Sequence, residues 1–263
     1  MKIFDCFPFN NELELLELRF MELYDTVDYF VLSEANITHT GHKKPYYFEE
    51  NKERFSKYLD KVIHIKVDDM PMPDKENAWV AENFQRNAIS RGLDKVASPG
   101  DKILMSDADE IINPETLKKH INDEGWVCFK QSLFYYYVNL LNIHREWGGT
   151  VMAEYGSYKK IHQLARYARR HTYGEIPNGG WHYSYLTGGD PEKIFEKSKS
   201  IVKGFFIDDL TKEDVAKRVS GFTDLYKRRG HKHKMEIVDI NKNKPKSMDL
   251  FLKKYPHFFY KTK

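Results

Sequence analysis

Three carboxylates crowd into four residues at Asp107, Asp109 and Glu110, directly after the apolar run Ile103-Leu104-Met105. Like charges this close repel one another, and at the end of a buried strand they are costly unless a positive charge lies among them. Where a strand passes into a loop, residues i and i+2 can project the same way, so Asp107 and Asp109 are candidates to face one point. A hard divalent cation, Mn²⁺ or Mg²⁺, suits such a pair, because it takes oxygen ligands and commonly bridges to substrate phosphates. The same residues also read as a solvated acidic turn before a helix capped by Asn113 and opened by Pro114. His182, within Gly179-Gly180-Trp181-His182-Tyr183, is a candidate third metal ligand through a neutral imidazole nitrogen. The two glycines permit close backbone approach. Equally, a histidine among aromatics can be a hydrogen-bonded packing residue, and spacing alone does not choose.

The elements that must position these groups alternate in the first half. Strands are expected at Lys2–Phe7, Tyr29–Ala35, Lys61–Val67 and Lys102–Ser106. Between them lie helices, one following a cap at Asn10 or Asn11 with Leu13, Leu16, Phe20 and Leu23 on one face, another over Glu76–Leu93. This pattern implies an α/β fold, a mostly parallel Rossmann-type sheet covered by helices on both faces. Ligands of such sheets bind beyond the carboxyl ends of the strands, and Asp107 and Asp109 stand at such an end. The second half is aromatic-rich. It is expected to be strand-like over Gly125–Leu141 and Gly179–Gly189, then helical from Pro191 to about Lys203 and from Lys212 to about Arg229. No repeat or long linker interrupts it, so residues 1–263 read as one domain with two halves meeting near residue 113.

Composition narrows the classes. The 263 residues carry a net charge of +3, too small to argue for nucleic acid as the main partner. Seventeen Tyr and 17 Phe supply a packed core or a surface on which sugars or bases stack. Cys6 and Cys128 lie in apolar runs and read as buried free thiols, consistent with a reducing compartment. No apolar stretch reaches the roughly 18 residues of a membrane span, and the N-terminus reaches Asp5 too early for a signal peptide. The expectation is a soluble cytoplasmic chain without a transmembrane segment.

Five separated stretches then carry a resemblance. In order, these are FDCFPFNNELELLELRFMELYDTVDYFVLSEANITHTG, the helix ENFQRNAISRGL, SDADEI, the strand GWHYSY and the closing LKKYPHFFY. Together they resemble glycosyltransferase family 17. The resemblance implies a GT-A-like fold with a nucleotide-sugar half at about 1–113 and an acceptor half at about 114–263. It also implies a UDP-sugar donor carrying N-acetylglucosamine, an oligosaccharide or glycoconjugate acceptor, a divalent metal (usually Mn²⁺) and inversion at the anomeric carbon.

The residue chemistry runs parallel to that resemblance. A metal held by Asp107 and Asp109 would neutralise charge developing on a departing diphosphate. Arg86 could bring its bidentate fork to the same phosphates, or form an i,i+4 salt bridge to Glu82. Glu34 ends the second strand, where an acid can accept hydrogen bonds from uracil or ribose, with Asn36 and Thr38 either helping or capping their loop. For the base that takes the acceptor's proton, the candidates are Asp190 and Glu154, Asp190 also reading as the N-cap of the helix opened by Pro191. Two other classes compete. A haloacid-dehalogenase-like phosphohydrolase also uses D-x-D after a strand, but wants Thr or Val where Ile111 stands. A non-catalytic glycan-binding module would stack sugar on the aromatic strands and hold a structural cation.

Overall fold

The computed structural model describes residues 1–168, 175–202, 204, 207, 209–226 and 234–262. The chain begins with strand β1 (Ile3–Phe9), helix α1 (Leu13–Leu23), β2 (Tyr29–Ala35), the short α2 (Tyr47–Glu50), a 3₁₀ segment (Lys52–Lys61) and β3 (Val62–Val67). It continues through α3 (Val80–Ala88), α4 (Ser90–Leu93), β4 (Lys102–Met105), β5 (Glu110–Ile112), α5 (Pro114–His120), β6 (Val127–Tyr135), β7 (Leu140–Glu154) and α6 (His162–Ala168). The remainder comprises β8 (Glu175–Ser184), α7 (Pro191–Ser200), α8 (Lys212–Ser220), β9 (Met235–Ile237) and α9 (Met248–Lys254).

Apolar residues on both sides of each early strand decide the architecture. Along β1, Phe7 and Phe9 enter one core cluster while Phe4 and Cys6 enter another on the opposite face. β4 repeats this, with Leu104 in the first cluster and Ile103 and Met105 in the second. A strand buried on both faces belongs inside a helix-covered parallel sheet, and each such side chain contributes roughly 1.5–3 kcal/mol of burial. β1 pairs in parallel with both β2 and β4, and β2 with β3, in the order β3-β2-β1-β4. Chain order reverses at β1, which opens a crevice at the carboxyl ends of β1 and β4.

Beyond β4 the sheet changes character. β7 joins β4 antiparallel, β6 joins β7 antiparallel, β8 runs parallel to β6, and β5 closes the edge antiparallel to β8. The result is a GT-A-like α/β fold, parallel in its first half and mixed in its second. One sheet crosses the expected boundary near residue 113, since β5 lies before it and its partner β8 after it.

Several expected elements change shape for local reasons. The segment Gly125–Leu141 is two strands, broken where Tyr136 adopts φ +61°. Helix α1 has no asparagine cap; the Glu12 carboxylate instead accepts the Asn10 and Asn11 N–H groups. The helix expected at Glu76–Leu93 starts at Val80 and divides into α3 and α4. α7 and α8 end at Ser200 and Ser220, and the expected ends at Lys203 and Arg229 lie outside the described residues. Cys6 and Cys128 are buried free thiols as expected, burial pushing Cys128 up to about 11. Among the described residues no helix is long and apolar enough to cross a membrane.

Candidate active site

The positive charge that the acidic turn needs comes first from Arg19. On α1 this arginine follows the apolar Leu15, Leu16 and Leu18, and it is fully buried. Its Nε and Nη2 donate to the Asp5 carboxylate at 2.7 and 2.5 Å, and Nη2 also donates to Ser106 Oγ at 2.6 Å. Its Nη1 donates to the carbonyls of Asp107, Ala108 and Glu110 at 3.0, 3.3 and 2.8 Å. The turn that carries the acids is thus wrapped around a guanidinium, whose fixed fork suits several acceptors at once.

The other side of the turn is fixed by β8. Glu110 pairs across from His182, and the Tyr183 N–H donates to the Asp109 carbonyl at 2.9 Å. This approach requires Gly180, which sits at φ +140° and where a Cβ would run into the Ile111 carbonyl. Glu110 locks the arrangement. One oxygen accepts the Trp147 indole N–H at 2.5 Å and the other the Asp107 N–H at 2.8 Å. Burial, and then the Asp107 charge, push the Glu110 carboxyl above its usual range. The Trp147 ring packs 4.8 Å from the His182 imidazole.

Asp107, Asp109, Trp147 and His182 line a cavity of about 410 Å³ at the carboxyl ends of β1 and β4. Arg86 and Asp107 form one wall, 2.5 Å apart, while Arg86 Nε and Nη2 also hold Glu82 at 3.2 and 2.9 Å. Arg86 therefore takes the i,i+4 salt bridge to Glu82 and still lines the cavity. Its Nη1 is buried with no partner. Asp109 also lines the cavity. Its Oδ2 lies 3.0 Å from Lys197 Nζ and its Oδ1 3.5 Å from His182 Nε2. Lys197 also reaches Glu12 at 3.0 Å. Burial opposes ionisation of Asp109, but Lys197 and then His182 outweigh it and hold the carboxyl well below the usual range. Burial likewise opposes a charged His182, and Asp109 with Glu110 overcomes it, raising the imidazole.

Of the expected site residues, Asp107, Asp109, His182 and Arg86 line this cavity, as does Thr38. Others stand elsewhere. Glu34 is fully buried, its carboxylate accepting the Phe48 N–H at 2.8 Å and lying 3.1 Å from His64 Nε2, so it braces the segment after β2 rather than meeting a nucleotide. Asp190 caps α7, accepting the Glu192 and Lys193 N–H groups at 3.0 and 3.3 Å. Glu154 pairs opposite Lys102 at the amino end of β4, the far edge of the sheet from the cavity. Neither candidate base reaches the cavity. Asn36 lies outside its lining and bonds through its backbone to Val67 and Lys44, and the Thr38 hydroxyl is used within its own loop, accepting the Thr40 and His42 N–H groups. Lys197, Glu12, Trp147 and Arg19 were not singled out from sequence. Arg19 alone carried a signal, as a charge set beside the apolar face of a helix.

The three expected metal ligands do not converge as a set. The Glu110 N–H closes a tight turn onto the Asp107 carbonyl at 3.1 Å, so Asp107 and Asp109 are not neighbours on one extended face, and Asp107 turns to Arg86 instead. Among the described residues no three His, Cys, Asp or Glu side chains are placed to hold a metal by themselves. Asp109 Oδ1 and His182 Nε2 stand 3.5 Å apart. Two donors each about 2.1 Å from an octahedral ion stand about 3 Å apart, and such ions usually fill their remaining positions with water and substrate phosphate.

Comparison with known proteins bears on the same residues. The description "Glycosyltransferase family 17" matches residues 1–195. The chain is 31% identical over 115 residues to the beta-1,4-mannosyl-glycoprotein 4-beta-N-acetylglucosaminyltransferase of Rattus norvegicus, covering 42% of this chain and 21% of that one. The Homo sapiens protein of the same name gives 31% identity over 115 residues, 42% of this chain and 22% of its own. The match thus spans about a fifth of these relatives' length. Solved structures with some likeness are the inositol-1-phosphate CTP transferase from T. maritima (11% identity, TM-score 0.41, 76% of this chain and 98% of that one). A putative nucleotide-diphospho-sugar transferase from Desulfovibrio desulfuricans G20 gives 9% identity and a TM-score of 0.37, over 82% of this chain and 96% of that one.

Proposed function

The chain belongs to glycosyltransferase family 17, and on that premise we propose that it transfers a sugar, N-acetylglucosamine, from a UDP-sugar to a glycan acceptor with inversion. The observation that carries the donor assignment is Arg86. Arg86 lines the cavity, its Nη1 is buried without a partner, and Asp107 and Glu82 fix the rest of the guanidinium. An N–H held in this way recognises a phosphate oxygen, because the hydrogen bond it makes is charge-assisted and its direction is set in advance. The location agrees, since the switch point between β1 and β4 is where open α/β sheets bind nucleotides.

Asp109 and His182 are the residues that would hold Mn²⁺ or Mg²⁺. When bound, the ion supplies positive charge beside the departing diphosphate. Asp107 acts through Arg86, keeping the guanidinium charged and oriented. Trp147 and Glu110 keep the imidazole and the acidic turn in register, so the donor meets a site assembled beforehand. The reading extends to a cytoplasmic location, supported by the two buried thiols.

The test is calorimetric titration of UDP with and without Mn²⁺, followed by a screen of UDP-sugars for Mn²⁺-dependent release of UDP. Binding of UDP and its release from one UDP-sugar are expected. Phosphate release from phosphate esters without UDP release would replace this reading with a phosphohydrolase, and glycan binding without either would replace it with a binding module.

A further inference from the structure

Besides Arg86, the cavity is lined by Lys44, Arg145 and Lys197, and of these Lys197 is the one paired to the acidic turn. Lys197 falls just past residue 195, where the family match ends. It lies on α7, where Ile194 and Ser198 are fully buried in the core. The start of α7 is anchored by the Asp190 cap, so this helix delivers Lys197 to the cavity wall at a fixed height. The lysine's ammonium passes the Tyr185 ring at 5.6 Å and ends 3.0 Å from both Glu12 Oε1 and Asp109 Oδ2. Tyr185 itself adopts φ +52°, a left-handed conformation costly for an aromatic residue. The chain therefore accepts backbone strain beside this lysine.

Three separate elements thus meet at one ammonium: the start of α1, the acidic turn and α7. An ammonium has three donors, and the two carboxylates account for two of them. Glu12 and Asp109 bring two charges to its one, and Asp109 is shared with His182. A diphosphate entering this cavity adds further negative charge within reach of the same acids, and Lys197 is the lining cation already held beside Asp109. Resting on the donor reading above, we propose that Lys197 is a donor-binding residue whose ammonium contacts the diphosphate in the same cavity as Arg86, with Glu12 and Asp109 positioning it. No bond is made or broken in this step; the ammonium adds a charge-assisted hydrogen bond to an oxygen of the leaving group.

Removing Lys197 alone strands the buried Asp109 and half-buried Glu12 carboxylates and endangers the fold, so the informative variant is the charge-balanced pair Glu12→Gln with Lys197→Gln. It leaves the net charge of the cavity unchanged. Calorimetric titrations with UDP and with uridine are run on wild type and the double variant, both with Mn²⁺ and with EDTA. The expected result is a ten- to hundredfold loss of UDP affinity (roughly, for a hydrogen bond to a charged group), with uridine affinity unchanged. Lys197→Arg, which keeps the charge and the donors, should retain more UDP affinity than the double variant. If the wild type binds UDP and the double variant binds it equally well, Lys197 is only a counter-ion of its acids and the inference fails alone. If the wild type binds no UDP under either condition, the donor reading fails and takes this inference with it.

Discussion

Glu110 stands directly across the β5–β8 pairing from His182, and this register is what brings His182 Nε2 to 3.5 Å from Asp109 Oδ1. Strand pairing sets side-chain position in steps of one residue, and a slip of one would turn His182 to the other face. The acidic turn and the histidine are therefore one construction, although more than 70 residues of sequence separate them. Glu110 takes part in it by bonding Trp147 and the Asp107 N–H. It is a brace for the turn.

Asp109→Ala removes one donor of the proposed cation pair and His182→Ala removes the other. Each variant is expected to bind Mn²⁺ at least about tenfold more weakly in the presence of UDP, and adding EDTA to the wild type should weaken UDP binding in the same direction. Titration of UDP with Mn²⁺ reads both effects. Wild-type Mn²⁺ affinity in His182→Ala would remove the histidine from the metal site and leave it a packing residue against Trp147.

Arg86→Lys keeps a positive charge but loses the planar fork. A lysine cannot serve Glu82, Asp107 and a phosphate in the geometry that Arg86 shows. UDP affinity should fall roughly tenfold or more while uridine affinity holds. A variant that melts earlier yet binds UDP as before would make Arg86 a structural clamp on Asp107.

Arg19→Met is expected to be among the most damaging substitutions in the chain. It strands the buried Asp5 carboxylate and frees three carbonyls of the acidic turn. Breaking one partner from a buried ion pair costs about 3–5 kcal/mol. Adding Asp5→Asn should recover part of that loss, since the orphaned charge disappears. Urea denaturation of wild type, single and double variants measures it, and a double variant no more stable than the single would show that the backbone contacts, not the ion pair, carry the effect.

The parts of this fold that were legible in sequence are those decided locally. β2 runs over Tyr29–Ala35 as its apolar, aromatic start predicts, and Asn113 caps α5 through Glu115 as its Asn-Pro start predicts. The end of β4 carries the acidic pair because an apolar run stops there. What was not legible depends on partners distant in the chain. β5 is only three residues long and has no pattern of its own; it exists because Gly180 lets β8 approach it. Lys197 sits in PEKIFEKSKS, which reads as a solvated helix, and its ammonium turns inward to Glu12 and Asp109, which are far away in the chain. Glu34 shows the same dependence on distant partners. It stands at a carboxyl strand end, where ligands bind, but its carboxylate turns to the Phe48 N–H and His64.

The stability of the whole chain should depend on pH through Glu17, which ties the C-terminal helix to α1. Its carboxylate accepts from Lys254 at 2.7 Å, Tyr255 at 2.8 Å and Arg54 at 3.1 Å. Burial alone would raise this carboxyl, but Lys254, Tyr255 and Arg54 together outweigh it and hold it below the usual glutamate range. A carboxyl whose folded value is depressed contributes stability that is complete above its unfolded value, about 4.3, and is lost as pH falls through the folded value. Wild type should therefore melt above Glu17→Gln by a constant margin from neutral pH down to about pH 5, and the margin should shrink at lower pH. Thermal melts of both proteins between pH 3 and 7 give the curve. A margin that widened in acid would mean that Glu17 is protonated in the folded protein and that the tie to α9 is a neutral hydrogen bond.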